Sequence, residues 1–490
     1  MSLSGDSTYT PVFIMSLCYS SQPSTIPTSY TESPLTMKPN IFVKGRQTWL
    51  DGLRGIAAAI VAWFHFTSGE MEIPFRSFWD EPAEQNRRLI QLAPFRIAFA
   101  GQAMVSLFFV VSGYSISLAI IRYRDIDENL VFYRKLTSSV FRRGFRLYLP
   151  LLTLYLISHV AFYIGLYDWE FGESEGCPAA KPWSNPFPHL DCLAMSFMTN
   201  LNLAGPYSTS GLNMHLWTVQ SEFQGSLALY LTILGLASTK PRVRLGVVCF
   251  LSLIFLWFGQ ASFICFFAGL SLAEFDTIRK DLPNVSFNIA SGTGRSVMRL
   301  IFRKIVTLAL FAFGIYLLCL PSDERFPADF SFQTWMKLPF WVDEHIRIIC
   351  WYAIGAVLVV ATLRNHPTLR IPLESRLAQY LGKISFSLYL IHLTIFRTLR
   401  DHILDGFCEI FWKKDFDDTR KDDDAFTVIF LAWSCAIIVI LPLLIILSHY
   451  MTIFVDQRAI AIAHQLEKLA AHDPVDRAVP EQRLGYEVDF

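Results

Sequence analysis

WLDGLRGIAAAIVAWFHFT, residues Trp49–Thr67, is an apolar run carrying one cation near its start, Arg54, and one imidazole near its end, His65. The two stand eleven residues apart. On a helix that is almost three whole turns, so both share one stripe, about 16 Å apart along the axis. Asp51, one turn before Arg54, lies close to the same stripe. Ionisable groups are costly in lipid. On a helix otherwise built from Ala, Ile, Val and Trp they are expected to face a protein interior or a watery cavity, which by default suggests function. The plainer alternative is that Arg54 snorkels to the interface and His65 merely ends the span.

Composition around this stretch sets the class. Hydrophobic residues make up 53% of the 490 and charged residues 17%, far from ordinary soluble usage. Lys plus Arg number 42 and Asp plus Glu 42, so no overall basicity points to nucleic acid as a partner. Instead, one hydrophobic segment follows another, many near the length that crosses about 30 Å of hydrocarbon. The expected fold is all-α: a polytopic transmembrane helix bundle of about ten spans. Its partner is the lipid bilayer, as a multi-pass integral membrane protein.

The Ser-, Thr- and Pro-rich stretch 1–46 reads as a disordered cytosolic tail. The transmembrane domain is expected over 47–455, followed by a polar helical tail over 456–490. After Trp49–Thr67 the spans fall near Ile97–Ile121, Leu147–Tyr167, His215–Ala237, Leu245–Trp257, Ala261–Phe275, Ile305–Leu320, Ile346–Leu363, Ile384–Leu399 and Phe426–His449. Only a short turn divides Leu245–Trp257 from Ala261–Phe275, and a single long or re-entrant segment is the competing reading. A basic loop is expected over Arg122–Arg146, and a long loop over Asp168–Met214.

With the N-terminus in the cytosol, the basic clusters fall on the inside: Arg122–Arg146, Lys240/Arg242/Arg244, Arg279–Lys304 and Arg364–Lys383. The outer connections are poor in cations, and the last carries Asp422–Asp424. That alternation obeys the positive-inside rule and puts both termini in the cytosol. Cys177 and Cys192 share the outer loop, where a disulfide is allowed and lone cysteines are the alternative. No Cys/His spacing resembles a zinc site, so no metal is expected. Asn284–Ser286 matches a glycosylation acceptor but falls inside, where it stays unmodified.

Five motifs, in order, resemble those of the acyltransferase 3 family. WLDGLRGIAAAIVAWFHF is similar to its first helix, with Arg and His separated by ten intervening residues. FFVVSGYSI at Phe108–Ile116, with Ser112 and Tyr114, resembles its second-span signature. The run from Arg142 through Arg143 and Arg146 to Pro150 is similar to its basic segment ending in Pro. His215–Glu222, HLWTVQSE, resembles its Trp-Ser/Thr-Leu-x-x-Glu helix start, with Val219 in place of the usual Leu. LGKISFSLYLIH at Leu381–His392 resembles a late helix of the family, with Phe386 where Tyr is commoner. Each motif is weak alone; the ordered set, over about Gln47–Val455, is specific.

The resemblance implies acyl transfer, often of acetyl, from acyl-CoA as co-substrate to a hydroxyl-bearing acceptor, with no tightly bound cofactor. An alcohol needs a base to act as a nucleophile at neutral pH, and imidazole suits that task. His65 is expected to be that base, with a transient acyl-imidazole as the alternative. Glu222, at the start of its helix, would orient an imidazole or the acceptor; otherwise it caps the helix and pairs with a neighbour. Arg142, Arg143 and Arg146 would hold the nucleotide end of acyl-CoA, since guanidinium forks suit phosphates. Arg54 either holds the pantetheine or phosphate portion or pairs with Asp51. Asp51, Ser112, Tyr114, His215, Trp217 and His392 are candidates to line the site. The acceptor is expected to be a small lipophilic metabolite of a biosynthetic pathway, with a sugar or glycan as the alternative. A multi-pass transporter is the non-enzymatic alternative, but no internal repeat between 50–240 and 245–450 favours it.

Overall fold

The computed structural model describes residues 47–68, 71, 73–125, 129–167, 177, 179–205, 211–281, 294–321, 337–420 and 426–470. The tail 1–46, the Asn284–Ser286 pattern and Asp422–Asp424 lie outside the described residues. All regular structure within them is helical: α1 (Thr48–Thr67), α2 (Gly101–Arg124), α3 (Asn129–Tyr163), α4 (Pro186–Leu201), α5 (Trp217–Gly235), α6 (Pro241–Trp257), α7 (Ala261–Asp281), α8 (Gly294–Leu318), α9 (Glu344–Asn365), α10 (Arg376–Ile395), α11 (Asp401–Trp412), α12 (Phe416–Arg420), α13 (Phe426–Met451) and α14 (Gln457–Ala470), with short 3₁₀ and π turns between.

Among the described residues, six helices are long and apolar enough to cross a membrane: α2, α3, α7, α8, α9 and the run Thr427–Ala470. The chain is therefore a multi-pass integral membrane protein. Helices α1, α5 and α10 fall outside those six. They are the helices that carry the charged and polar side chains of the site, which dilute their hydropathy.

Helix α1 stands between two apolar clusters. Trp49, Leu53, Ala57 and Val61, four residues apart, pack into one with α2, α7 and α9. Ala58, Ala62 and Phe66 pack into the other with α3, α10 and α13. The stripe of Asp51, Arg54 and His65 runs between the two. Lipid tails are as apolar as Leu, so close backbone packing rather than the hydrophobic effect holds such helices together. Here α1 and α10 run side by side and parallel, with Gly55 against Gly382. A Cβ on Gly55 would lie 2.3 Å from the Gly382 nitrogen, and one on Gly382 would lie 2.4 Å from the Asp51 carbonyl oxygen. Only glycine at both positions permits that approach. It sets the register that carries His65 to His392 ten residues further along.

Several boundaries differ from the sequence reading. The basic stretch through Arg146 is helix rather than loop, since α3 starts at Asn129 and continues unbroken through the span. Its charges are partnered: Arg142 pairs with Glu467 of α14 at 3.3 Å. The long connection between α3 and α5 contains α4, opened by Asn185, whose side chain accepts from the Phe187 amide at 3.1 Å, and by Pro186 at the first position. Asn followed by Pro is a helix-start signal. Cys177 and Cys192 are disulfide-bonded, with Cα atoms 5.4 Å apart. Helices α6 and α7 are two helices, divided at Gly259, whose φ of +72° suits glycine.

Candidate active site

The site is built on α1, α3, α5 and α10. A 3₁₀ turn, Met214–Leu216, leads into α5. Glu222 therefore sits in the second turn of α5 and does not cap it; of the alternative role expected for it, only the pairing with a neighbour is seen, with Arg143. His215, Thr218, Glu222 and Ser226 follow at helical intervals on one face. Their stripe is as long as that of Arg54 and His65, about 16 Å, and runs the opposite way. Together the two stripes connect two polar clusters.

The first cluster holds three imidazoles. The His65 and His392 rings lie 5.1 Å apart and those of His215 and His392 4.9 Å apart, centre to centre. His392 is fully buried, His215 is 5% exposed, and His65 is half-buried. Hydrogen bonds fix two of the tautomers. His392 donates from Nδ1 to the Tyr389 carbonyl at 2.7 Å, and His215 donates from Nε2 to the Leu390 carbonyl at 3.1 Å. A carbonyl only accepts, so the lone pairs remain on His392 Nε2 and His215 Nδ1. Neither atom has a hydrogen-bond partner among the described residues.

Tyr389 braces this arrangement. Its hydroxyl donates to the His215 carbonyl at 2.7 Å and accepts from Thr218 at 2.6 Å. Aromatic rings close the other side: Phe64 meets His65 edge-on at 5.0 Å, and Phe75 meets Phe64 at 5.5 Å. Arg397 lies on the π turn Phe396–Arg400 that continues α10, within electrostatic reach of His65 and His215. Such wide turns are frequent at functional sites.

Arginine dominates the second cluster. Arg143 pairs with Glu222 at 2.7 Å, their side chains 13% and 24% exposed. Ser112 donates to the same carboxylate at 3.0 Å. Arg143 also donates to the Ser226 hydroxyl at 2.7 Å, which in turn donates to the Glu222 carbonyl at 2.6 Å. Arg54 lies within electrostatic reach of Glu222, Asp51, Arg146 and Arg143.

The structure thus brings together His65, His215 and His392 at one level, and Asp51, Arg54, Arg143, Arg146, Ser112 and Glu222 at the other. Trp217, half-buried at the start of α5, packs against the apolar cluster of α2, α7 and α9. Two candidates stand apart. Tyr114 faces α7, donating to Asp276 at 2.6 Å and packing on Trp49. It follows Ser112 by two residues, which on a helix is about 200° around the axis. Arg142 turns outward to Glu467 and His464 of α14. Thr218, Ser226, Tyr389 and Arg397 were missed as site residues. Spacing marks Thr218 and Ser226, one turn either side of Glu222; nothing local to Arg397 marks it. Among the described residues no group of His, Cys, Asp and Glu could hold a metal ion.

A family model for an acyltransferase domain, Acyl_transf_3, matches residues 47–450, the whole region that carries both clusters. The chain belongs to the acyltransferase 3 family. It is a membrane-embedded acyltransferase that uses acyl-CoA to acylate oxygen. Among similar proteins is the O-acetyltransferase PaAT-1 of Phomopsis amygdali, 27% identical over 384 residues, covering 72% of each chain. The acyltransferase clz18 of Cochliobolus lunatus is 26% identical over 72% of this chain and 84% of its own. The acyltransferase R4 of a Phoma species is 25% identical over 70% and 81%. No solved structure matches.

Proposed function

We propose that this acyltransferase moves an acetyl group from acetyl-CoA to a hydroxyl of a small lipophilic molecule, with His65 as the base. The acceptor oxygen attacks the thioester carbonyl while His65 takes its proton. The new C–O bond forms, the C–S bond breaks, and the proton passes from His65 to the departing sulfur. The hydroxyl's single proton is the one His65 takes; His392 and His215 wall the pocket beside it and fix where the oxygen sits. Arg397, within electrostatic reach of His65, supplies positive charge to offset the negative charge that develops on the carbonyl oxygen. Arg54, Arg143 and Arg146, at the other end of the stripe, hold the phosphates of CoA, and its extended arm spans the distance to His65. Glu222 positions Arg143. Arg142 takes no part.

One observation carries this reading: three imidazoles 5.1 and 4.9 Å apart in succession, two with lone pairs that have no partner among the described residues, at the far end of a helical stripe from the buried arginines. The acetyl group rests on the similarity to PaAT-1. The lipophilic acceptor rests on the aromatic wall of Phe64 and Phe75 beside His65. We further infer ten spans (α1, α2, α3, α5, α6, α7, α8, α9, α10 and α13) with both termini cytosolic. Arg54 and Arg244 near the starts of α1 and α6, Arg143 in the first half of α3, and Arg124 and Arg364 at the ends of α2 and α9 fall on one face of an alternating bundle, which supports that topology. Extracts of cells with and without the protein test the function. A lipophilic compound heavier by one acetyl, present only with the protein, is the expected result; acylation confined to glycans would overturn the acceptor.

A further inference from the structure

Away from the catalytic helices, a cavity of about 450 Å³ opens between α6, α7, α8 and α9. Leu245, Cys249, Leu272 and Phe275 supply its apolar wall, and Arg279, Arg303 and Arg364 its charge. The volume is within the range of small-ligand sites. Arg364 is built in: its side chain is 7% exposed, it lies 3.5 Å from Asp276, and it stacks over Phe275 at 5.0 Å. One guanidinium nitrogen donates to the Leu272 carbonyl at 2.9 Å, and it is the Nε that faces Asp276 at 3.5 Å. Arg279 and Arg303 are exposed and form no ion pair among the described residues. Asp276 therefore offsets only one of three positive charges. The ends of α6, α7, α8 and α9 that form the cavity lie on the face that carries Arg124 and Arg244, where a membrane meets water. Lipid-facing side chains continue from it: Phe250 and Leu253 on α6, Phe302 and Ile305 on α8, all largely exposed.

We propose that this cavity binds the anionic headgroup of a membrane phospholipid, with Arg279, Arg303 and Arg364 on the phosphate and the acyl chains along α6 and α8. Guanidinium forks match phosphate oxygens, and basic pockets between spans at this depth take acidic lipids. A free phosphate or nucleotide would gain the same charge contacts but nothing from the apolar wall and the lipid-facing grooves. The site is separate from the histidine cluster, so the proposal stands whether or not the catalytic reading does.

The test is native mass spectrometry of the purified full-length chain in detergent, titrated with phosphatidylserine, phosphatidylcholine, inorganic phosphate or CoA. Phosphatidylserine is expected to bind well above phosphatidylcholine. The Arg279→Gln/Arg303→Gln variant is expected to lose roughly fivefold in that affinity per arginine, and the Lys pair at the same positions to restore most of it. Both arginines are exposed, so the variant is expected to fold, checked by its thermal unfolding. Equal binding of the two lipids, unchanged phosphatidylserine binding in the variant, or displacement of phosphatidylserine by inorganic phosphate or CoA would each overturn the proposal.

Discussion

Adding one methyl group at Gly55 tests whether packing of α1 on α10 places the imidazole proposed as the base. The new Cβ would lie 2.3 Å from the Gly382 nitrogen and 2.8 Å from the Ala378 carbonyl oxygen, where 3.4 Å begins ordinary contact. Both obstacles are backbone and cannot rotate away, so the helices must part by about 1 Å. Overpacking of this kind costs about 1–3 kcal/mol of stability. The larger effect is on the chemistry. His65 on α1 and His392 on α10 face each other across that interface, and about 1 Å of misplacement costs roughly 10²-fold in rate. Gly55→Ala is therefore expected to keep measurable folded protein while acyl transfer in isolated membranes falls on the order of a hundredfold. Gly382→Ala, whose Cβ meets the Asp51 carbonyl at 2.4 Å, should behave alike. Gly246→Ala on α6, with nothing within 4 Å, should leave transfer unchanged. Full transfer by Gly55→Ala at the normal protein level would refute the reasoning.

Other perturbations probe the rest of the site. Tyr389→Phe removes the donor to the His215 carbonyl, although Thr218 still reaches that oxygen at 3.3 Å. A loss of about 1–2 kcal/mol is expected, seen as a roughly tenfold fall in kcat with KM for acyl-CoA held; a changed KM alone would count against a positioning role. Glu222→Gln leaves the half-buried Arg143 facing a neutral group, at about 2 kcal/mol, between the exposed and buried limits. Thermal unfolding in detergent should register the loss, and an unchanged Tm would contradict the pairing. Cys192→Ser opens a loop closed over 15 residues, a cost of about 3 kcal/mol in the chain-entropy account, measurable as a lower Tm that reducing agent does not lower further.

Much of this organisation was legible in the chain itself because helical period is a strong constraint. The spacing of Arg54 and His65 forces both onto one stripe of α1, and the structure puts that stripe between two packed clusters. The motif beginning at His215 likewise held Thr218 and Glu222 one turn apart. What could not be read was partnership across helices. The charges at Arg142, Arg143 and Arg146 look like a solvated loop until α14 supplies Glu467 and α5 supplies Glu222. Ser112 and Tyr114 were treated as one signature, yet their places on the helix aim them at different neighbours. Arg397 reaches the histidines through a π turn that local sequence does not announce.

The most direct test is turnover by His65→Ala. Membranes holding equal amounts of the wild-type and variant protein are supplied with acetyl-CoA and the acceptor, and acetylated product is followed by mass spectrometry. Loss of a positioned base should slow transfer by roughly 10²–10⁴-fold, with protein level and Tm near normal. Product formed at close to the wild-type rate would contradict the account, whatever the fate of the other residues.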